Sequence, residues 1–228
     1  MTDEGADTGD VLVLIAAYNE GTVVGEVVTE LRSAFPRVLV VDDGSNDDTQ
    51  QAAESAGAFV VRHMLNIGQG GALTTGLRVM ESLPDVRWVV TFDADGQHRV
   101  EDALEMVAKA RRERLDIVLG SRFNGGGSNA SQAKLLLLRA ATAYTRASTG
   151  LPVTDTHNGL RVLSADLARK IAIQDFGMGH ATDILEYVAE HDVKWAEFPV
   201  TIRYTDYSKA KGQSMSNAVN ILFDRWVR

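Results

Sequence analysis

Asp93 and Asp95, one residue apart in the run FDADGQH, form the sharpest chemical signal in the sequence. At a strand end, residues i and i+2 point to the same side, so both carboxylates are expected to face one hard cation. Oxygen ligands at an open site favour magnesium or manganese, with diphosphate oxygens completing the coordination. Gln97, two residues further on, could add an amide oxygen or a water-mediated contact to the same ion. His98 reads at least as well as a surface loop histidine. Two other polar groups follow apolar runs in the same manner: Tyr18-Asn19-Glu20, and Asp42-Asp43-Gly44-Ser45. Taken singly, each reads as a helix cap as readily as a site. Three acidic ends on one edge of a single sheet would concentrate negative charge that a cation or polar ligand must compensate.

The elements that must carry these groups follow from hydropathy. Residues 11–18 (VLVLIAAY) form a continuous apolar run, as a strand buried on both faces should. Residues 20–34 carry apolar positions at helical spacing. Strands are expected at 37–43, 58–63, 86–95 and 115–121, with helices at 47–55, 70–81 and 100–114 between them. Ser45 or Asn46 is the expected cap of the second helix. This alternation predicts an α/β fold with a mainly parallel sheet and right-handed crossovers. The rhythm breaks at NGGGSN (124–129), read as a flexible loop. Beyond it come a helix at 131–149, a short strand at 159–163 and a helix at 181–191. Residues 193–204 read as one strand, or as two joined at Pro199. Residues 1–10, acidic and without a base, read as a disordered leader. Residues 11–214 read as one domain, and 215–228 as an amphipathic C-terminal helix facing a membrane or a partner.

Composition narrows the function. The chain has 228 residues and a formal net charge of −8, which disfavours general nucleic-acid binding, because phosphate backbones need a basic footprint. Cysteine is absent, excluding disulfides, zinc–thiolate centres and thiol nucleophiles. No apolar stretch reaches the roughly 18 residues of a spanning helix. After Gly68-Gln69-Gly70, the third glycine of a dinucleotide fingerprint would fall at Leu73, and no Gly-Lys-Ser/Thr occurs, so Rossmann dehydrogenase and P-loop readings are both disfavoured.

AAYNE, VVDDGSNDDT, NIGQGGALTTG, FDADGQH and GSRF, in this order, resemble the family 2 glycosyltransferases, and within them the polyprenyl-phosphate (dolichyl-phosphate) hexose synthases. The match covers roughly residues 11–205. The resemblance implies a GT-A fold, a Rossmann-like three-layer sandwich with a nucleotide-sugar donor, a divalent metal (Mg2+ or Mn2+) and inversion at the anomeric carbon. It places Ala17, Tyr18, Glu20, Asp42, Asp43, Ser45, Gly70, Asp93, Ala94 and Asp95 at the nucleotide sugar, and Asp93, Asp95 and Gln97 at the metal. It puts Asp95, Arg122 and Asp155 at the catalytic centre, Asp155 and Arg161 coming from DTHNGLRV, which is similar to the family's D-x-x-x-G-F-R segment. Gly212-Gln213-Ser214 resembles a late family loop and makes Lys209 and Lys211 candidate phosphate ligands. The chain departs from the family at Ala17, where proline is common, and at Leu160, where phenylalanine is common.

Transfer to a phosphate monoester hardly needs a base, because its second pKa is about 6. The protein must instead hold two phosphorylated molecules together. Arg122, Lys134, Arg139, Arg161, Lys209 and Lys211 are the cations expected at the acceptor phosphate. Residues 134–146 (KLLLLRAATAYTR) combine four leucines with bases and no acid, the composition of an interfacial helix; a buried helix packed on the sheet is the alternative. Asp183 and Glu186, at helical spacing, read as helix surface or an internal ion pair. The expectation is therefore a peripheral protein on the cytoplasmic face of the membrane, making a polyprenyl-phosphate sugar for cell-envelope glycans or protein glycosylation. A UDP-sugar is favoured over GDP-mannose by the Asp155 segment. A small membrane protein partner and a homodimer are compatible with this reading. The alternatives are a family 2 enzyme with a soluble or polysaccharide acceptor, and a non-catalytic nucleotide-sugar binding protein.

Overall fold

Every second residue of Val11–Ala17 packs on one face of a sheet and the rest on the other, so this strand (β1) is apolar throughout. Val11, Val13 and Ile15 join one core, and Leu12 and Leu14 the opposite one. The computed structural model describes residues 7–177, 179–204 and 207. In chain order the elements after β1 are α1 (Val24–Arg32), β2 (Arg37–Asp42), α2 (Thr49–Ser55), β3 (Phe59–Arg62), α3 (Gln69–Glu81), β4 (Trp88–Asp93), α4 (Val100–Glu113) and β5 (Ile117–Ser121). The second half adds β6 (Gly127–Ser128), α5 (Gln132–Thr149), β7 (Arg161–Ser164), α6 (Ala165–Ala168), α7 (His180–Glu190), β8 (Trp195–Pro199) and β9 (Thr201–Ile202).

Seven strands form the central sheet in the order β3-β2-β1-β4-β7-β5-β8. All pairings are parallel except those of β7, which runs antiparallel between β4 and β5. Helices α1 and α4 cover one face, through Val24, Val28, Leu31, Ala103 and Met106. Helices α3, α6 and α7 cover the other, through Leu73, Leu77, Met80, Leu167, Ile184 and Leu185. The result is a three-layer α/β sandwich with the mainly parallel sheet expected from the alternation.

Several expectations change. Residues 124–129 contain β6, which pairs in parallel with β9 in a small second sheet. Residues 193–204 follow the second of their two readings, as two strands that part just after Pro199, and they lie in different sheets. Asp48, not Ser45 or Asn46, stands at the N-cap of α2, because the Ser45 hydroxyl instead accepts from the Asn19 amide at 2.9 Å. Among the described residues no helix is long and apolar enough to cross a membrane. The leader before residue 7, Lys209, Lys211 and the expected helix at 215–228 lie outside the described residues.

Candidate active site

The carboxyl ends of β1 and β4 open onto a cavity of 320 Å³, where ligands of open α/β sheets are held. Ala17, Tyr18 and Glu20 line it from β1, and Asp93, Ala94 and Asp95 from β4. Asp43 enters after β2, and Gly68 and Gln69 at the start of α3. His157, Gly159 and Arg161 come from the run into β7, and His180 from α7. Of the residues expected from sequence, Asp42, Ser45, Gly70, Gln97, Arg122, Asp155, Lys134 and Arg139 do not line the cavity.

Asp42 and Asp43 have separate surroundings. Asp42 is fully buried; its Oδ1 accepts from the Ser45 amide at 2.9 Å, and Arg62 Nε lies 3.6 Å from its Oδ2. Asp43 ties β2 to the start of α3, accepting from His63 Nδ1 (2.7 Å) and from the amides of Ile67 (3.0 Å) and Gly68 (2.7 Å). Gly70, the second residue of α3, sits where any Cβ would lie 2.2 Å from the Asp175 carbonyl oxygen. The helix can approach the 174–177 loop that closely only with glycine there. Asp183 holds that loop from below, accepting from the amides of Gln174 and Asp175.

Strand β4 ends at Asp93, so Asp95 stands in the following turn rather than on the pleat. Both carboxylates nevertheless face the cavity. Asp93 accepts from His98 Nε2 at 2.8 Å and from Gln69 Nε2 at 3.4 Å. Burial works to raise its pKa, but His98, Arg161 and His180 outweigh that and hold it below the usual carboxylate range. Burial and the neighbouring Asp93 charge push Asp95 up to about 6. Gln97 donates to Asp95 from both its amide and its side-chain nitrogen. Two carboxylates that resist joint ionisation are what a divalent cation would relieve, and an all-oxygen pair suits Mg2+ or Mn2+. Among the described residues no group of three or more acids or histidines is arranged to hold a metal ion.

Arg122, at the end of β5, is turned inward. Its Nε donates to Asp155 at 2.6 Å, Nη1 to the Tyr204 hydroxyl at 3.0 Å and Nη2 to the His157 carbonyl at 3.1 Å. Arg161 is buried too, with burial lowering its pKa against the opposing charges of Asp93 and Asp155. Two of the expected cations stay nearer the surface, on α5. Lys134 Nζ lies 4.2 Å from the centre of the Tyr204 ring, and Arg139 sits over Phe123 at 5.1 Å. Lys134 is depressed by burial and Arg122, while Asp95 acts to raise it. Helix α5 is not a core helix: only Ala141, Thr142 and Thr145 are buried, and Leu136 is 70% exposed.

Sequence reasoning missed four groups here. His98 is buried, not on the surface, and stacks edge-on against Phe92. His157 and His180 line the cavity; burial lowers both, His180 to about 4 with help from Arg161. Tyr207 donates to Glu20 Oε2 at 2.9 Å, across most of the chain length. Only His98 carried a local signal, its place five residues after Asp93.

A family model described as glycosyl transferase family 2 matches residues 12–172. The chain is 34% identical to the undecaprenyl-phosphate mannosyltransferase of Micrococcus luteus, over 95% of this chain and 93% of that protein. It is 27% identical to the UDP-N-acetylglucosamine–dolichyl-phosphate N-acetylglucosaminyltransferase of Methanococcus voltae, over 93% of each. Among solved structures, glucosyl-3-phosphoglycerate synthase from Mycobacterium tuberculosis superposes with a TM-score of 0.69 at 20% identity, covering 87% of this chain and 71% of that one. That likeness concerns the fold, which is GT-A.

Proposed function

The chain belongs to glycosyl transferase family 2 and is a glycosyltransferase, and from that premise we propose that it moves a hexose or N-acetylhexosamine from a nucleotide sugar to a polyprenyl phosphate, with inversion. The observation that carries the donor half is the Asp93/Asp95 pair facing one cavity, with Asp95 pushed up to about 6 by its neighbour. The names of the two relatives support the acceptor half, as does an acid-free helix with exposed leucine beside the site. The solved neighbour is described with Mn2+ and uridine diphosphate bound, which supports the metal reading by analogy of fold.

Asp93 and Asp95 would hold the ion, whose role when bound is to neutralise the departing diphosphate as a Lewis acid. Tyr18 and Glu20 flank the nucleotide, and Asp43 keeps the loop from 63 to 68 in place beneath it. Arg161 supplies fixed positive potential at the inner wall. Lys134 and Arg139, near the surface on α5, would receive an acceptor phosphate arriving along that helix. The acceptor is already anionic at neutral pH, so no side chain has to remove a proton. The reading makes the protein peripheral, meeting its lipid at the membrane surface.

A donor screen with polyprenyl phosphate in vesicles tests this reading. UDP-linked sugars are expected to be transferred in preference to GDP-mannose, and chelator to abolish transfer until Mg2+ or Mn2+ is restored. Transfer to free sugars, with none to prenyl phosphate, would hand the case to a soluble or polysaccharide acceptor.

A further inference from the structure

His180 is the first residue of α7, 4% exposed, and its ring forms part of the cavity wall beside Arg161. The side chain is held at two points, the ring at Nδ1 and its base at Cβ. Its Nδ1 lies 2.8 Å from the Gly177 carbonyl oxygen, and a carbonyl only accepts, so Nδ1 carries the proton. The α3 backbone at Gly70 packs closely on the base of the side chain, where an added Cβ would lie 3.0 Å from the His180 Cβ. A neutral imidazole with a protonated Nδ1 leaves Nε2 as a bare lone pair. Among the described residues nothing donates to it. Burial and the Arg161 charge keep the ring neutral across the physiological range.

A lone pair cannot hold a phosphate oxygen, which is itself an acceptor; it needs an O–H or N–H from the ligand. The diphosphate belongs at Asp93 and Asp95 on the donor reading, and this inference rests on that reading. The wall made by His157, Arg161 and His180 contains no carboxylate. On that reading, this wall is the part of the cavity offered to the sugar. We propose that His180 is a specificity-determining residue whose Nε2 accepts a hydrogen bond from a hydroxyl of the donor hexose. Gly70 and the 174–177 loop, which set the ring, are then positioning elements for sugar choice.

The test compares binding of UDP and GDP with binding of UDP-glucose, UDP-N-acetylglucosamine and GDP-mannose by calorimetry with Mn2+ present, in wild type, His180→Phe and His180→Gln. Phenylalanine keeps the ring volume and removes the acceptor; glutamine restores an acceptor at similar reach. His180→Phe is expected to bind the bare nucleotide within about twofold of wild type and to lose roughly tenfold for the preferred nucleotide sugar, the scale of one hydrogen bond. His180→Gln should recover most of that loss, and discrimination among the three sugars should narrow in the Phe variant. Equal losses for nucleotide and nucleotide sugar would move His180 to the base and overturn the inference. So would unchanged sugar binding in a folded Phe variant, or, if that variant melts, an unaltered sugar preference in His180→Gln. A wild type that binds none of these ligands would instead overturn the donor reading itself.

Discussion

Arg122 and Asp155 form a buried ion pair, Nε to Oδ2 at 2.6 Å, that locks the end of β5 to the segment leading into β7. Their side chains are 6% and 1% exposed. The pair therefore acts first on architecture, and removing one partner strands a charge in the interior. Asp155→Ala is expected to cost about 3–5 kcal/mol, read as a lowered midpoint in denaturant. Replacing both residues by apolar ones of similar volume should recover much of that loss. Wild-type stability in Asp155→Ala would refute the coupling.

His98 holds Asp93 from behind the cavity, through Nε2 at 2.8 Å. Groups that orient a metal-binding carboxylate typically change metal affinity 10- to 100-fold. His98→Ala should weaken Mn2+ binding by about that factor while the nucleotide still binds weakly without metal. Calorimetric titration of Mn2+ into the nucleotide-loaded protein gives the answer; an unaltered affinity would detach His98 from the site.

Gly159 faces the same carboxylate from β7's side. A Cβ there would fall 2.2 Å from Asp93 Oδ1 and 2.3 Å from Oδ2, inside any permitted contact. Gly159→Ala is expected to displace Asp93 and to lower metal-dependent nucleotide affinity by roughly tenfold or more, since one good charge-assisted contact is worth that much. Binding without metal should change far less. Equal loss in both conditions would point to a general collapse of the cavity instead.

Helix α5 should carry the contact with an anionic bilayer. Each Lys or Arg near such a surface contributes about 1 kcal/mol, so Lys134→Glu should reduce sedimentation with anionic vesicles several-fold, and added salt should weaken the wild type. Leu136 is exposed, so Leu136→Glu should lower vesicle binding with little shift in the melting curve. A large loss of stability in Leu136→Glu would return the helix to the core.

Most of the sheet was legible because its strands are buried on both faces, and runs such as VLVLIAA and RVLVVD leave no other use for so many consecutive apolar residues. The Asp93/Asp95 pair at the cavity was legible for the same reason, since acids closing such a run stand out. The turn at Asp95 was not, because DAD continues the run without a breaker until Gly96. Strands β6 and β9 have two residues each, too few for any periodicity, and depend on a partner far away in sequence. Helix α6 had a usable cue in Ser164, whose hydroxyl accepts from the Leu167 amide, but four residues show no helical stripe. Arg122 is the instructive case. The family resemblance of GSRF suggested a phosphate clamp, and the fold adds that Asp155, Tyr204 and a carbonyl engage it.

Strand β7 enters the sheet between β4 and β5, both of which are synthesised before it. During synthesis β3, β2, β1 and β4 can pair as soon as residue 93 has emerged, but the outer edge of β4 then waits for Arg161 to meet Thr91. Until that happens, an apolar edge reading WVVTF stays open to other chains, the kind of edge that invites aggregation. Such late, distant pairings are also slow to form. The same insertion delivers Gly159 and Arg161 to Asp93, so the cavity closes in the step that seals the edge. A nascent chain therefore completes this cavity only when the apolar edge of β4 is covered.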